Sequence, residues 1–324
     1  MSSVDIFRQL ATRLDASVLG QKNLTERLLI GLLADGHLLL EGAPGLAKTR
    51  AIKVLATLIE GSFHRLQFTP DLLPADLTGS EVFRPQDGSF HFVRGPLFHD
   101  FVLADEINRA PAKVQSALLE AMAERQITVG QATHRLPDLF MVMATQNPIE
   151  HEGTYALPEA QLDRFLMYLR IDYPDAAVER DILALARAEA RAALGASREL
   201  TAAPVATREQ LFAARREVLD LYLAPELEGY IVQIVAASRR PETVAVELDG
   251  VVRFGASPRG TIALERCARA RAWLAGRDYV SPGDIQALAP DVLRHRILLS
   301  YEAEATGLTP DQLIATLLQR IAVP

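Results

Sequence analysis

An apolar run, His37-Leu38-Leu39-Leu40, lies between Gly36 and Gly42 and passes straight into Gly42-Ala43-Pro44-Gly45-Leu46-Ala47-Lys48-Thr49. Beyond it, Ile52, Leu55, Ala56 and Ile59 recur at helical spacing. A short apolar run bounded by glycine predicts a buried strand, and the recurrence predicts a helix. No other feature restricts the fold as much as this succession of strand, glycine-rich loop and helix. Glycines let backbone N–H groups close around phosphate oxygens, and a helix N-terminus adds positive potential. Lys48 then reaches the β- and γ-phosphates of a bound nucleotide, and the Thr49 hydroxyl binds magnesium. Ala47 stands where the general pattern has its last glycine. Alanine holds a helical backbone, so the loop is expected to survive if Ala47 starts the helix. The alternative, a Gly-Pro turn with an incidental lysine, ignores the matching context on both sides.

The rest of the chain supplies the frame for such a loop. Its 324 residues suit two domains. Phe63 to Phe68 alternates and reads as a strand. Phe101-Val102-Leu103-Ala104 and Phe140 to Ala144 are apolar strands, Arg164 to Ile171 a last one, and Pro111 to Glu124 a helix with proline near its first turn. Two hairpins are expected, Glu81 to Val93 around Asp87-Gly88 and Ile127 to Leu136 around Gly130-Gln131. Apolar strands alternating with helices predict an α/β fold with a parallel sheet flanked by helices. Ligands in such sheets bind beyond the C-terminal strand ends. After Pro174 the composition turns Ala-, Leu- and Arg-rich, with helix-start signals at Thr207, Ser257, Ser281 and Thr309. Residues 1–173 are therefore expected to form the α/β domain with two hairpin inserts, and 174–324 a smaller all-α domain.

Asp105-Glu106 and Thr145-Gln146-Asn147 each follow an apolar strand, so both should converge on the loop. Phosphoryl transfer depends on positioning and charge neutralisation. Asp105 is expected to hold magnesium and Glu106 to polarise the attacking water. The plain alternative is an acidic start to the following loop.

These segments resemble the nucleotide-binding motifs of AAA+ ATPases: the loop, then Ala104-Asp105-Glu106-Ile107-Asn108-Arg109-Ala110, then Ala144-Thr145-Gln146-Asn147-Pro148. The resemblance is closer still to the MoxR family, through Gln67 to Pro74 and Gly153 to Phe165. There the Ala47 departure is usual. It is dense from Val18 to Ile171 and thinner beyond, where Ser257-Pro258-Arg259-Gly260 is the main anchor. It implies ATP and Mg2+ as ligands, with the helical part acting as a lid. Asn147 takes the place of the sensor residue that positions the attacking water, and Thr145 that of a strand-end support. Arg164 corresponds to the arginine finger that reaches a neighbouring subunit's ATP; the alternative is a surface arginine paired with Asp163 or Glu159. Arg259 corresponds to the second sensor, acting in cis or in trans. Val18-Leu19-Gly20-Gln21 resembles the segment that packs on adenine, or is a plain helix break.

The resemblance further implies a homo-oligomer, a hexameric ring, that remodels or matures client protein complexes with a partner carrying a von Willebrand factor A domain. Rival readings are a metal-chelatase motor subunit, a nucleic-acid translocase or loader, and a nucleotide-gated scaffold with negligible turnover. The net charge of −7 argues against general nucleic-acid binding. The intact Asp105-Glu106 pair argues against the scaffold. The hairpins resemble inserts that face substrate in related rings, although Phe83, Phe90 and Phe92 can simply stabilise a hairpin. The seven histidines show no metal-ligand spacing. The single cysteine, Cys267, reads as a small core residue and excludes an internal disulfide. Arg266 to Arg277 reads as a solvated helix face or a subunit contact. No basic leader precedes an apolar run and no stretch approaches the ~20 apolar residues of a membrane span, so a cytoplasmic location is expected.

Overall fold

A computed structural model describes residues 2–43, 46–86, 88–147, 154–195 and 204–324. Five strands make the central sheet: β1 (Leu38–Gly42), β2 (Phe63–Gln67), β3 (Phe101–Asp105), β4 (Met141–Gln146) and β5 (Met167–Ile171). Their spatial order is β2-β3-β4-β1-β5. β2 runs parallel to β3 with Gln67 opposite Asp105, and β3 parallel to β4 with Ala104 opposite Ala144. Leu38, Leu39, Leu40, Phe101, Val102, Leu103, Val142 and Met143 are wholly buried. Continuous apolar runs of this kind belong to strands covered on both faces.

Packing divides the chain into two compact units. One comprises residues 1–29, 40–155 and 170–212; the other comprises 30–39, 156–169 and 213–324, and the division passes through β1 and β5. The helix Ala176–Gly195 belongs to the first unit. The expected last strand is shorter than its apolar pattern. Glu159–Leu162 is a helical turn, and Arg164 and Phe165 donate N–H bonds back to Gln161 and Leu162, so β5 begins only at Met167. Pro111 is the N-cap of Ala112–Glu124, next to its first turn.

In the first unit the two expected hairpins form. Gly79–Arg84 pairs antiparallel with Ser89–Arg94, and Gln126–Val129 with Ala132–Arg135. Asp87 of the first turn lies outside the described residues. Phe83 and Phe90 are register partners with ring centroids 5.3 Å apart, and both are exposed. Phe92 instead stacks on His134 of the second hairpin at 4.0 Å.

The second unit is helical, and its starts follow the capping signals. The Ser257 Oγ accepts the Arg259 N–H at 3.1 Å, and Thr309 and Gln312 bond reciprocally. Thr207 and Gln210 do the same in the first unit. The arginine-rich stretch is a solvated face only at Arg266, which is exposed. Arg271 and Arg277 converge on the fully buried Asp284, with contacts of 2.6–2.7 Å, while Arg269 binds the Leu219 and Leu221 carbonyls. Among the described residues no helix is long and apolar enough to cross a membrane.

Burial alone would raise the Asp284 pKa. Bonds from Arg277, Ser281 and Arg271 outweigh it and hold the carboxyl down at about 2, against an ordinary 3.8. A folded-state pKa below the unfolded one stabilises above the unfolded value and is lost as pH falls through the folded one. Acid unfolding should therefore show a loss of about 2 kcal/mol between pH 4 and 2 that is absent from Asp284→Asn. That variant should be less stable by a similar amount at pH 7, measured by chemical denaturation.

Candidate nucleotide-binding site

A cavity of about 350 Å³ opens beyond the C-terminal ends of β2, β3 and β4, where the helix Lys48–Leu58 begins. Lys48, Thr49, Asp105, Glu106 and Asn147 all line it, so three sequence segments converge as their strand-end positions require. Pro44 and Gly45 lie outside the described residues, as do Pro148 to Gly153. Gly42 closes β1. A side chain there would meet the Ile171 carbonyl oxygen at 2.7 Å, so only glycine fits. Ala43 and Leu46 are buried.

The condition set for Ala47 is not met. This residue does not start the helix in a right-handed conformation; it is the N-cap, at φ 58° and ψ 14°. That left-handed geometry suits glycine and strains an L side chain. Lys48 follows, and its Nζ donates to the Gly42 carbonyl at 2.6 Å, spanning the loop. Burial lowers the Lys48 pKa while Asp105 and Glu106 pull it upward. The ammonium is thus held partly desolvated, a setting in which an anionic ligand interacts strongly.

Thr145, at the end of β4, joins the two acids. Its hydroxyl donates to the Asp105 Oδ1 at 2.6 Å and accepts the Glu106 backbone N–H at 2.9 Å. Glu106 is itself left-handed, at φ 58° and ψ 51°. Such strain persists only where surrounding bonds over-determine it. Its Oε2 accepts from the Gln67 Nε2 at 2.7 Å and from Arg109 at 3.2 Å. Arg65 donates to the Asp105 Oδ2 at 2.6 Å. Arg65 and Gln67 share one side of β2, whose register sets Gln67 beside Asp105. Sequence reasoning passed over Arg65 as a site residue. Its signal was strand alternation two residues before Gln67, readable only once β2 is known to neighbour β3.

A second cavity, about 120 Å³, adjoins Leu46, Ala47 and Arg50, and Arg50 lines both cavities. Leu19 and Gln21 form one wall and Ile182, Leu185 and Ala186 another. Val18 is buried, and Gly20 has φ +77°, where a Cβ would strike Val178 at 2.3 Å. Those two residues shape the wall while their neighbours face the space. The wall from Ala176–Gly195 carried no sequence signal. Arg164, half-buried, and Arg259, exposed, belong to the second unit. The Asp163 carboxylate, considered as a partner for Arg164, is bound by Arg296 and Ser257. Cys267 is buried.

Comparison with known proteins agrees with this geometry. A family model described as "ATPase family associated with various cellular activities (AAA)" matches residues 37–167, and one for the AAA lid domain matches 249–317. A solved structure from Cytophaga hutchinsonii, described as a candidate ATPase, superposes with a TM-score of 0.90. It is 42% identical, over 99% of this chain and 96% of that one. The parallel sheet, the phosphate loop and the paired acids therefore make this chain an AAA ATPase. "Chaperone MoxR1" of Mycobacterium tuberculosis is 44% identical over 95% of this chain and 79% of that protein. "Protein MoxR" of Methylorubrum extorquens is 34% identical over 95% of this chain and 92% of that protein. The chain belongs to the MoxR family.

The strain at Ala47 is measurable. Ala47→Gly should raise unfolding stability by about 1 kcal/mol without nucleotide, because glycine takes the left-handed N-cap at no steric cost. Equal or lower stability in chemical denaturation would contradict it.

Proposed function

We propose that this ATPase works with magnesium as a homo-oligomer, a hexameric ring, and spends ATP on remodelling or maturing protein complexes. One observation carries the catalytic reading: the Thr145 hydroxyl fixes Asp105 and Glu106 side by side in the cavity that also holds Lys48 and Thr49. Residues 1–173 act as the nucleotide-binding domain and 174–324 as the lid.

In this reading the loop Gly42 to Thr49 and Lys48 bind the phosphates, and the adenine lies in the smaller cavity beside Leu19 and Gln21. Thr49 and Asp105 hold the magnesium. These donors suit it, because Mg2+ is usually held by one or two carboxylates, substrate phosphates and water rather than an all-protein cage. Among the described residues no group of three or more His, Cys, Asp or Glu could form such a cage. When bound, the ion neutralises charge on the phosphate oxygens. Glu106 orients and polarises the attacking water, aided by the Asn147 amide. Gln67 and Arg109 fix the Glu106 carboxylate meanwhile. Arg164 reaches the ATP of the next subunit, and Arg259 contributes in cis or in trans.

The chaperone name of one relative supports a protein client, and family resemblance supports a partner with a von Willebrand factor A domain and a cytoplasmic setting. ATPase stimulation by DNA or RNA would favour a translocase instead.

Glu106→Gln should bind ATP normally and lose turnover at least roughly 100-fold, as loss of a general base does. Near wild-type hydrolysis would overturn the assignment. The same variant, loaded with ATP, should retain the client in a pull-down. If Arg164 acts in trans, Lys48→Ala subunits mixed with Arg164→Ala subunits should recover hydrolysis that neither has alone. Mixed assemblies without recovery would count against it.

A further inference from the structure

In the second unit one arginine is buried more completely than any role so far accounts for. The Arg296 side chain is 2% exposed. Its Nε donates to the Asp163 Oδ1 at 2.8 Å. One terminal nitrogen donates to the Asp163 and Phe165 carbonyls, at 3.2 and 2.6 Å. The other donates to the carbonyls of Val292 and Leu166 and to the His295 Nε2. Three of these bonds, to the Asp163, Phe165 and Leu166 carbonyls, fasten the backbone of the turn that carries Arg164.

The second carboxylate oxygen of Asp163 continues the chain. It accepts from the Ser257 Oγ at 2.8 Å, and the same hydroxyl accepts the Arg259 N–H at 3.1 Å. Ser257 is the N-cap of Pro258–Leu274, so its bond sets where that helix starts. Gly260 completes the joint. A Cβ there would meet the Arg296 Cδ at 3.3 Å and the Ala256 Cβ at 3.1 Å. The segment Ser257-Pro258-Arg259-Gly260 thus contributes a bond to Asp163 and room for Arg296.

We propose that Arg296, Asp163 and Ser257 form a tie that positions Arg164 and Arg259 as one rigid pair, so that the two arginines are presented to the nucleotide together. This rests on the reading of Arg164 as a finger given above. The physical reason is cost: Arg296, almost wholly buried, needs the Asp163 carboxylate beside it, and that carboxylate is itself only 19% exposed. Breaking a buried pair leaves an uncompensated charge, which favours the tie staying closed. A misplacement of about 1 Å at a distance from the chemistry can cost on the order of 100-fold in rate. Arg296, Asp163 and Ser257 are positioning residues, and none of them touches substrate in this account.

Two measurements on the full chain test the tie. In uniform assemblies, Asp163→Asn, which keeps the side-chain shape, and Ser257→Ala should lower kcat roughly tenfold or more while KM for ATP changes less than about twofold. A kcat within about twofold of wild type in both variants overturns the tie. Ser257→Ala removes only a hydroxyl and carries the measurement if Asp163→Asn folds poorly. In mixed assemblies, Lys48→Ala subunits donate Arg164 to Arg164→Ala subunits. Adding Asp163→Asn to the Lys48→Ala donors should abolish rescue. Adding Asp284→Asn, which weakens the same unit away from the tie, should leave rescue intact. Co-purification confirms equal incorporation. Rescue by Asp163→Asn donors, or equal loss with Asp284→Asn donors, contradicts a positioning role. If plain Lys48→Ala donors fail to rescue, the finger reading falls and the tie falls with it. A sound finger with indifferent Asp163→Asn donors sinks the tie alone.

Discussion

The Thr145 hydroxyl holds the site's two acids through one oxygen, donating to the Asp105 carboxylate and accepting the Glu106 amide. A charge-assisted bond of this kind is stronger than a neutral one, and it acts here at the C-terminal ends of two interior strands. Its effect is geometric. Asp105 ends a strand, whereas Glu106 must leave it at once, in a left-handed turn that L residues rarely adopt. The bond to Thr145 stabilises that departure, and the two carboxylates then address the same cavity in different directions. Each has its own second partner, Arg65 for Asp105 and Gln67 for Glu106. A neighbouring strand therefore reads and orients both acids.

Strain recurs at a second residue lining the same cavity. Ala47 is left-handed immediately before the helix whose first residue is Lys48. Both deviations sit where backbone must turn sharply between a rigid strand and a rigid helix, with the cavity between them. Non-glycine residues at positive φ cost on the order of 1–3 kcal/mol each. They sit beside β1, β3 and β4, strands buried along almost their whole length.

The helical unit uses ionic contacts to a different end. Asp284 gathers two arginines and a serine at the start of one helix, and Asp163 gathers one arginine and one serine at the start of another. The first arrangement caps and anchors. The second joins a turn from before β5 to a helix almost a hundred residues later. Similar chemistry thus yields a local cap in one place and a long-range joint in the other, decided by which carbonyls surround the guanidinium.

The sequence by itself determined the strand-loop-helix, the four capped helix starts, both hairpins and the convergence of Lys48, Asp105 and Asn147. These follow from periodicity, capping chemistry and the rule that strand ends face one way. Tertiary structure alone decided the rest. Arg65 entered the site because β2 lies beside β3, a pairing no local pattern encodes. Ala47 is left-handed just before Lys48, whose ammonium bonds the Gly42 carbonyl, although alanine on its own prefers a right-handed helix. The apparent strand from Arg164 began late because a helical turn and the bonds of Arg296 claim its first residues. The arginine-rich helix looked solvated until Asp284 and the Leu219 and Leu221 carbonyls were placed beside it. Local sequence sets what a segment can do by itself; a partner distant in the chain, able to desolvate or neutralise a group, decides which option it takes.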